Sequence, residues 1–382
     1  METYLEILPV LSFKNNLIEI NGFRHFVTTA LMLHDDIDIR TLSVLWIDPL
    51  NTDIDIGDVL NTWVLYAVKR KVKELVFSVI VDKPQSFVFP ECVYNCEWLT
   101  DLHLYLGSMY HSTLRLPESI HLSNLKSVKF EALHLNEVLM NEFFTSCPAL
   151  ESVTIKDCIM GDLEIISHTL KYFTLAYSSF NGIVSNVASS VLLFAPNLEV
   201  FDIICHPSQF CRVIRTKSLV KAGVKIIVQE KRNNPYTYSE LPGESKDVYA
   251  KAMMLMLEKF HNVKDLTLSS RFIQDCFAEQ PTDLYCDEIN FPLENIEDYW
   301  KPGLTSPCEP LHLKVVELVG VYGSVNELRF IEVFLKYAVK LEKVSFYWNR
   351  DGPANLMEII MKFEEKLRSL PRASSRVSTL FY

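Results

Sequence analysis

The sequence has little of what marks many enzymes and membrane proteins. It holds only 11 glycines in 382 residues. It contains no phosphate-binding loop, no dinucleotide fingerprint, no Gly-x-Ser-x-Gly elbow and no His-Glu-x-x-His motif. No run of 18 apolar residues occurs either, although a membrane-spanning helix needs about that length. We therefore expect a chain that is not an enzyme, uses no cofactor and does not cross a membrane.

Basic residues are also scarce, and the cysteines have no recognisable spacing. Against 48 acidic residues stand 37 basic ones, which gives a formal net charge of -11 and argues against nucleic acid as a partner. The nine cysteines are an odd number without Cys-x-x-Cys or disulfide-framework spacing. The first ten residues do not have a basic region followed by an apolar stretch. These features predict reduced cysteines and a location in the cytosol or nucleus.

One six-residue phrase, here called the kernel, recurs ten times with apolar residues at positions one, four and six. Most starts lie 20 to 28 residues apart. This is the pattern and period of leucine-rich repeats. The copies are Ile39–Val44, Val72–Phe77, Leu99–Leu104, Leu125–Phe130, Leu150–Ile155, Leu170–Leu175, Leu198–Ile203, Val263–Leu268, Leu313–Leu318 and Leu341–Phe346.

Each kernel predicts a strand with two chemically different faces. Side chains alternate along a strand, so positions four and six share one face while positions three, five and seven share the other. Stacking the strands in parallel buries the first set; Val153 and Ile155 are expected in the core, and Thr154 and Lys156 outside. The second set lines one concave sheet, and we expect an unidentified protein partner to bind there. The candidate partner-binding residues are His103, Tyr105, Lys129, Lys156, Tyr172, Asp202, Glu317 and Tyr347.

The intervals between kernels predict helices on the convex side of the sheet. Residues 324–338 begin with a Ser-x-x-Glu capping box, Ser324 and Glu327, and place apolar residues on one face. Asn136 precedes a similar segment, and residues 58–71 repeat the arrangement. The predicted fold class is α/β, a leucine-rich-repeat solenoid in which strand, helix, strand is the unit.

Two long intervals without a clear kernel interrupt the regular spacing and predict the domain boundaries. Between Leu198 and Val263 lie a weaker candidate strand, 224–229, and a polar segment, 230–245, that is a linker candidate. A second gap, from Val263 to Leu313, has no visible kernel in its middle. We expect an N-terminal repeat region at 1–229, a linker at 230–245 and a C-terminal region at 246–382.

Two weak motifs have ordinary structural explanations. Cys92, Cys96, His103 and His111 are possible metal ligands, but His103 lies inside a kernel strand, and we expect no metal site. Gly320-x-x-Gly323 stands between a kernel and a helix cap, where a turn is a better interpretation than a phosphate loop.

Beyond the kernels, the repeats contain the stretches "LTDLHLYLG", "LPESI", "LSNLKSVKF" and "FFTSCPALESVTIKDC". These stretches resemble the repeat region of plant F-box proteins that carry leucine-rich repeats and a C-terminal FBD domain. The C-terminal resemblance rests on "NVKDLTLSS", the residues around "VYGSVNELRFIEVFLKYAVKLEKVSF" and the ending "EEKLRSLPRASS". The resemblance implies substrate recognition for a cullin-type ubiquitin ligase and an FBD-like region at the C-terminal end.

The family's F-box of about forty residues, which docks a Skp-type adaptor, is not recognisable before "LEILPVLSF". We therefore expect a non-enzymatic interaction module that does not bind this adaptor. The alternative is an N-terminally truncated form of a full ubiquitin-ligase receptor, or the product of a decaying gene. A small-molecule receptor is a poorer interpretation, because basic residues do not gather in the middle of the array.

Overall fold

A computed structural model describes most of the chain and divides it into two compact units, Met1–Ala195 and Pro196–Tyr382. The described residues are 9–15, 20–34, 37–48, 56–81, 86–107, 111–117, 119–177, 190–205, 210–214, 217–226, 256, 258–260, 262–277, 312–349 and 356–382. The predicted linker, 230–245, lies outside them. The predicted division into 1–229, 230–245 and 246–382 therefore stays a prediction.

The first unit contains thirteen strands and four helices among its described residues. In chain order they are β1 (Val10–Lys14), α1 (Ile20–Leu33), β2 (Thr41–Asp48), α2 (Ile56–Lys69), β3 (Glu74–Val81), β4 (Ser86–Val88), α3 (Glu91–Tyr94), β5 (Asp101–Gly107), β6 (Ser112–Arg115), β7 (Ser127–Glu131), β8 (Leu133–Leu135), α4 (Glu137–Thr145), β9 (Ser152–Lys156), β10 (Ile159–Met160), β11 (Leu163–Ile166), β12 (Tyr172–Ala176) and β13 (Ser190–Phe194).

The second unit continues the same alternation. Its described elements are β14 (Val200–Cys205), β15 (Phe210–Ile214), β16 (Lys221–Ile226), a 3-10 turn (Glu258–Phe260), β17 (Asp265–Ser269), α5 (Ser270–Phe277), β18 (Val315–Val321), α6 (Val325–Tyr337), β19 (Lys343–Trp348), α7 (Leu356–Ser369) and β20 (Ser378–Phe381).

A parallel sheet forms the main layer of each unit. The strand order is β1-β2-β3-β5-β7-β9-β12 in the first unit and β14-β16-β17-β18-β19-β20 in the second. All ten kernels coincide with strands of these sheets: β2, β3, β5, β7, β9, β12, β14, β17, β18 and β19. The predicted fold class, an α/β leucine-rich-repeat arrangement, is confirmed.

The core lies on the face of kernel positions four and six, as predicted. In β9, Val153 and Ile155 have no exposed surface, whereas the Lys156 side chain is 46% exposed. The helices cover this face. Trp46 of β2 and Trp63 of α2 lie with their ring centroids 5.4 Å apart and are both buried.

A repeated backbone contact holds the starts of neighbouring strands in register. The carbonyl of Thr100 accepts hydrogen bonds from the amides of Lys126 and Ser127, at 2.8 and 3.0 Å. The carbonyl of Lys126 does the same for the next repeat, where it accepts from the amides of Glu151 and Ser152. In these repeats the shared carbonyl holds kernel position three of neighbouring strands on the same face.

Three predicted helices are confirmed, two of them with their N-terminal caps. Ser324 accepts from the amide of Glu327, and the Glu327 carboxylate accepts from the amide of Ser324, so the capping box at the start of α6 is formed. The Asn136 side chain caps α4 by accepting from the amide of Leu139. Helix α2 covers the third predicted segment.

The prediction of strand, helix, strand as the general unit is wrong for the middle of the first unit. In the described residues between β5 and β7 the chain forms β6 and no helix. Short strands β4, β6, β8 and β10 join into a second parallel sheet. Pairing with each other satisfies the backbone groups of these strands.

The weaker strand candidate at 224–229 is shifted by three residues from the observed one, Lys221–Ile226. Its kernel is Leu219, Ala222 and Val224, all buried, and the small alanine at position four hides the pattern. Strand β17 pairs directly with β18 in the sheet. Strands β1 and β20 also join the sheets, in addition to the predicted set.

Of the two glycines before α6, Gly320 lies at an irregularity within β18, and Gly323 lies in the segment between β18 and α6. Gly320 has φ +73° and lies where the register with β19 shifts, and Gly323 has φ +81°. Both values fall in the left-handed region that favours glycine. Among the described residues, no helix is long and apolar enough to cross a membrane.

Candidate functional site: the outer face of the first unit

Kernel positions three, five and seven lie opposite the core, on the side that we call the outer face. Strand register arranges them in rows. The row at kernel position five contains Val76, His103, Lys129 and Thr154, which are register partners on successive strands. Position seven joins Ser78, Tyr105, Glu131 and Lys156 in the same way.

Four predicted site residues come together around one residue that was not predicted. His103 Nε2 lies 3.2 Å from Glu131 Oε1, and the Lys129 ammonium forms an ion pair with the same oxygen. Lys156 Nζ lies 3.8 Å from Glu131 Oε2. With Tyr105, the direct neighbour of Glu131 in β5, these residues are called the Glu131 cluster.

Glu131 is a buried carboxylate on a face where its charged neighbours are partly exposed. Its side chain is 11% exposed, against 28% for His103, 39% for Lys129 and 46% for Lys156. The hydrogen bond from His103 and the nearby lysines lower its pKa from 4.5 to about 2, although burial acts in the opposite direction. Glu131 is therefore ionised at physiological pH and acts as the internal counter-ion of the cluster.

Tyr105 packs at the edge of the cluster, over a glycine. A Cβ built on Gly107 would stand 3.3 Å from the Tyr105 ring and 2.6 Å from the Ala132 methyl group. Burial raises the pKa of Tyr105, and the charges of Glu131 and Asp157 raise it further. Its hydroxyl is therefore a neutral hydrogen-bonding group at physiological pH.

The other predicted site residues do not join the cluster. Tyr172 is the first residue of β12 and occupies kernel position three. It is 44% exposed and pairs with Ser152 in the strand register. Asp202, Glu317 and Tyr347 lie on the outer face of the second unit. There Glu317 Oε2 accepts a 3.3 Å hydrogen bond from Thr267, and the ring of Tyr347 stacks on that of Tyr382 at 4.8 Å.

Apolar side chains occupy the outer face of β2 and β3. Leu45 and Ile47 of β2, with Val76 of β3, are half-buried, and Ile80 is 36% exposed. In the register, Val76 is the partner of His103, so this apolar part adjoins the Glu131 cluster directly.

The described residues offer little for covalent or metal chemistry. Burial raises the pKa of the Cys147, Cys158 and Cys205 thiols to about 12, so they are not thiolate nucleophiles at neutral pH. In this part of the chain no group of three or more His, Cys, Asp or Glu side chains could hold a metal ion. His103 faces Glu131 instead of completing a site with Cys92 and Cys96.

Glu131 was not among the predicted site residues, although its position in the kernel predicts that it lies on the outer face. It is position seven of the Leu125 kernel, as Tyr105 and Lys156 are of theirs. Counting position seven in every kernel would have found it. Its burial comes from the neighbouring strands, however, and a single kernel does not reveal that.

The chain is similar to F-box proteins with leucine-rich repeats. Residues 60–224 match the family model described as "FBD-associated F-box protein At5g56370, LRR repeats". Putative F-box/FBD/LRR-repeat protein At1g66290 of Arabidopsis thaliana is 26% identical over 274 residues, which cover 70% of this chain and 57% of that protein.

Two further Arabidopsis thaliana proteins extend the comparison. F-box/LRR-repeat protein 13 is 26% identical over 230 residues, which cover 59% of this chain and 49% of that protein. Putative F-box/FBD/LRR-repeat protein At5g56810 is 22% identical over 383 residues, which cover 94% and 85%. The chain thus spans about half the length of the first two relatives, at 57% and 49%. The resemblance seen in the sequence is confirmed: residues 60–224 match the leucine-rich-repeat model of an FBD-associated F-box protein, and most of the chain is similar to Arabidopsis F-box/FBD/LRR-repeat proteins.

Proposed function

We propose that this chain is a non-enzymatic protein-interaction module whose partner binds the outer face of the first unit. The observation that carries the proposal is the Glu131 cluster. A carboxylate that is only 11% exposed has lost most of its hydration and needs close ion pairs in return. The core on the opposite face does not require such an arrangement, whereas a binding surface with fixed charges benefits from it.

The cluster prepares its side chains for binding. Lysine loses considerable rotamer freedom when it is held in an interface. Glu131 already restricts Lys129 and Lys156, because both ammonium groups contact its carboxylate. Less conformational entropy remains to be lost when a partner arrives, so the same contacts give a higher affinity.

The finer part of the proposal concerns the role of this binding. The similar Arabidopsis proteins are named as F-box proteins, and the sequence resembles the substrate-recognition part of ubiquitin-ligase receptors. We propose that the partner is recognised as such a substrate, either by this chain acting without a Skp-type adaptor or by this chain as the recognition part of a longer receptor. Size-exclusion chromatography with purified adaptor, with and without an appended F-box, distinguishes the two forms.

A location in the cytosol or nucleus is part of the same proposal. It is supported by the cysteines: Cys92, Cys96, Cys147, Cys158 and Cys205 are all free. Buried free thiols are typical of proteins that fold in a reducing compartment. Fractionation of cells that express the tagged chain tests this location.

Photo-crosslinking tests the choice of surface. A photoreactive phenylalanine is placed at Tyr172 on the outer face, which is 44% exposed, or at Leu65 of α2, which is 40% exposed on the helical side. In cell extract we expect discrete crosslinked proteins from position 172 and none from position 65. Equal yields from the two positions, or products from position 65 alone, would contradict the proposal.

A further inference from the structure

The outer face of the first unit is divided into two parts of different chemistry. Strands β2 and β3 present an apolar part, formed by Leu45, Ile47, Val76 and Ile80. Strands β7 and β9 present a basic part, formed by Lys129 and Lys156. Tyr105 of β5 stands between the two parts.

The basic part retains unused capacity for an anion. Two ammonium groups share one carboxylate, so Lys129, Lys156 and Glu131 together carry one net positive charge, although Asp157 adds a negative charge nearby and the whole chain carries -11. Each ammonium group has three donors, and Glu131 can satisfy only some of them. The lysine side chains are 39% and 46% exposed, so their remaining donors are within reach of a partner.

The row at kernel position three carries negative charge, in contrast to the basic part. It therefore determines in which orientation an acidic partner binds. Glu74 and Asp101 are neighbours there, at the starts of β3 and β5. Glu74 accepts a 2.8 Å hydrogen bond from Thr41 and lies 3.7 Å from Arg40. An acidic partner group is repelled from this row and attracted to the rows of Lys129 and Lys156.

We propose, resting on the function proposed above, that this surface binds an acidic peptide segment with an apolar side chain three or four residues from its carboxylate. The acidic group lies between Lys129 and Lys156, and the apolar one lies on Val76 and its neighbours. Strands in a sheet are about 4.8 Å apart, so β3 is about 10 Å from β7 and about 14 Å from β9. An extended peptide covers that distance in three to four residues at about 3.3 Å each.

Selection from a peptide library tests the inference on the full chain. A display library of random peptides of about 12 residues, long enough to cross β3 to β9, is panned on the purified protein. Enriched peptides are synthesised with their Asp or Glu and, separately, with Asn or Gln in its place. Affinities are measured for the chain and for Lys156→Gln.

Lys171→Gln is the matched control. Lys171 is 41% exposed and pairs with Glu151 at 2.8 Å, but it lies at kernel position two, away from the two lysine rows. A melting curve for each variant shows that the fold is retained. Lys156→Gln leaves Glu131 with His103 and Lys129, so the buried carboxylate keeps partners.

We expect enriched peptides to combine an acidic residue with an apolar one at the stated spacing. Lys156→Gln and the amide peptide should each weaken binding about tenfold, and the two changes together should weaken it little further. Lys171→Gln should change affinity less than about twofold. High salt should weaken binding of the acidic peptide.

Several outcomes would overturn the inference. Enriched peptides without acidic residues that lose affinity with Val76→Ser would leave the proposed function standing and remove only the acidic partner. Equal losses in Lys156→Gln and Lys171→Gln would do the same. Inorganic phosphate or RNA binding as tightly as the peptides would indicate a general anion site. No enriched peptide, or binding unaffected by any outer-face variant, would count against both proposals.

Discussion

Lys156 reaches from β9 to Glu131 of β7, and its Nζ lies 3.8 Å from Glu131 Oε2. The two residues are direct partners in the strand register and lie 25 positions apart in sequence, the spacing of one repeat. The contact therefore forms only when successive repeats stack. It connects the geometry of the array to the charge pattern of its outer face.

Replacing Glu131 by glutamine should destabilise the protein at neutral pH. The substitution removes the charge that Lys129 and Lys156 share and leaves two like charges close together. The burial of Glu131 favours a large effect on stability, whereas the solvent exposure of the two lysines reduces it. We therefore expect the free energy of unfolding to fall by about 1–3 kcal/mol. Chemical denaturation of both proteins at pH 7 measures the difference.

The pH dependence of the difference in unfolding free energy between the wild-type protein and Glu131→Gln identifies the cause of that difference. The folded-state pKa of Glu131, about 2, lies below its ordinary value of 4.5. The stabilisation is thus fully present above pH 4.5 and is lost as the pH falls towards 2. The two unfolding free energies should converge over this window. Glu151→Gln, at an exposed ion pair, is the control and should show a much smaller difference at pH 7.

Two substitutions in β9 test the assignment of the strand faces. Val153→Asp places an unpaired charge in a fully buried site and should cost more than about 3 kcal/mol. Lys156→Ala, three residues away on the exposed face, should stay within about 0.5 kcal/mol. Thermal melting compares them, and similar losses would mean that the faces are wrongly assigned.

The two glycines before α6 should differ in their tolerance of alanine. Both have positive φ, which costs an L-residue about 1 kcal/mol. A Cβ at Gly320 meets nothing within 4 Å, whereas a Cβ at Gly323 would lie 2.4 Å from Ile359 Cγ2 of α7. Gly323→Ala should therefore lose about 1–3 kcal/mol more than Gly320→Ala. Equal losses in denaturant titrations would rule out the close contact with α7.

Glu327 should be the most sensitive acidic residue of α6. It has no exposed surface, and its carboxylate accepts from the Ser270 hydroxyl and from the amides of Tyr322 and Ser324. Glu327→Ala removes the acceptor of these three hydrogen bonds, and we expect a loss of about 2–4 kcal/mol. Glu332→Ala, on the partly exposed side of the same helix, should cost at most about 0.5 kcal/mol. Comparable unfolding midpoints for the two variants would contradict this role.

The repeat architecture could be predicted because its signal is local and repeated. Each kernel contains its own alternation, and ten copies agree with the observed strands. The strands that the sequence did not predict were missed for equally local reasons. Ala222 is too small to reveal the kernel of β16, and the short interval strands carry only one or two apolar residues each, such as Leu114 of β6.

The site was only partly predictable for a different reason. His103, Tyr105, Lys129 and Lys156 were identified as outer-face positions from alternation alone. Their meeting at Glu131 depends on the register between strands 25 or more residues apart, and no single kernel determines that register. The separation of Asp202, Glu317 and Tyr347 into the second unit likewise follows from tertiary contacts rather than from their pattern.

Lysine footprinting of a partner complex tests the central claim most directly. The chain, alone and with a selected peptide or captured partner, is briefly acetylated, and the modification of each lysine is measured by mass spectrometry. We expect the partner to protect Lys129 and Lys156, while Lys171 at kernel position two and Lys362 of α7 remain as reactive as in the free chain. Protection of Lys171 or Lys362, with Lys129 and Lys156 fully reactive, would contradict the outer face as the binding surface.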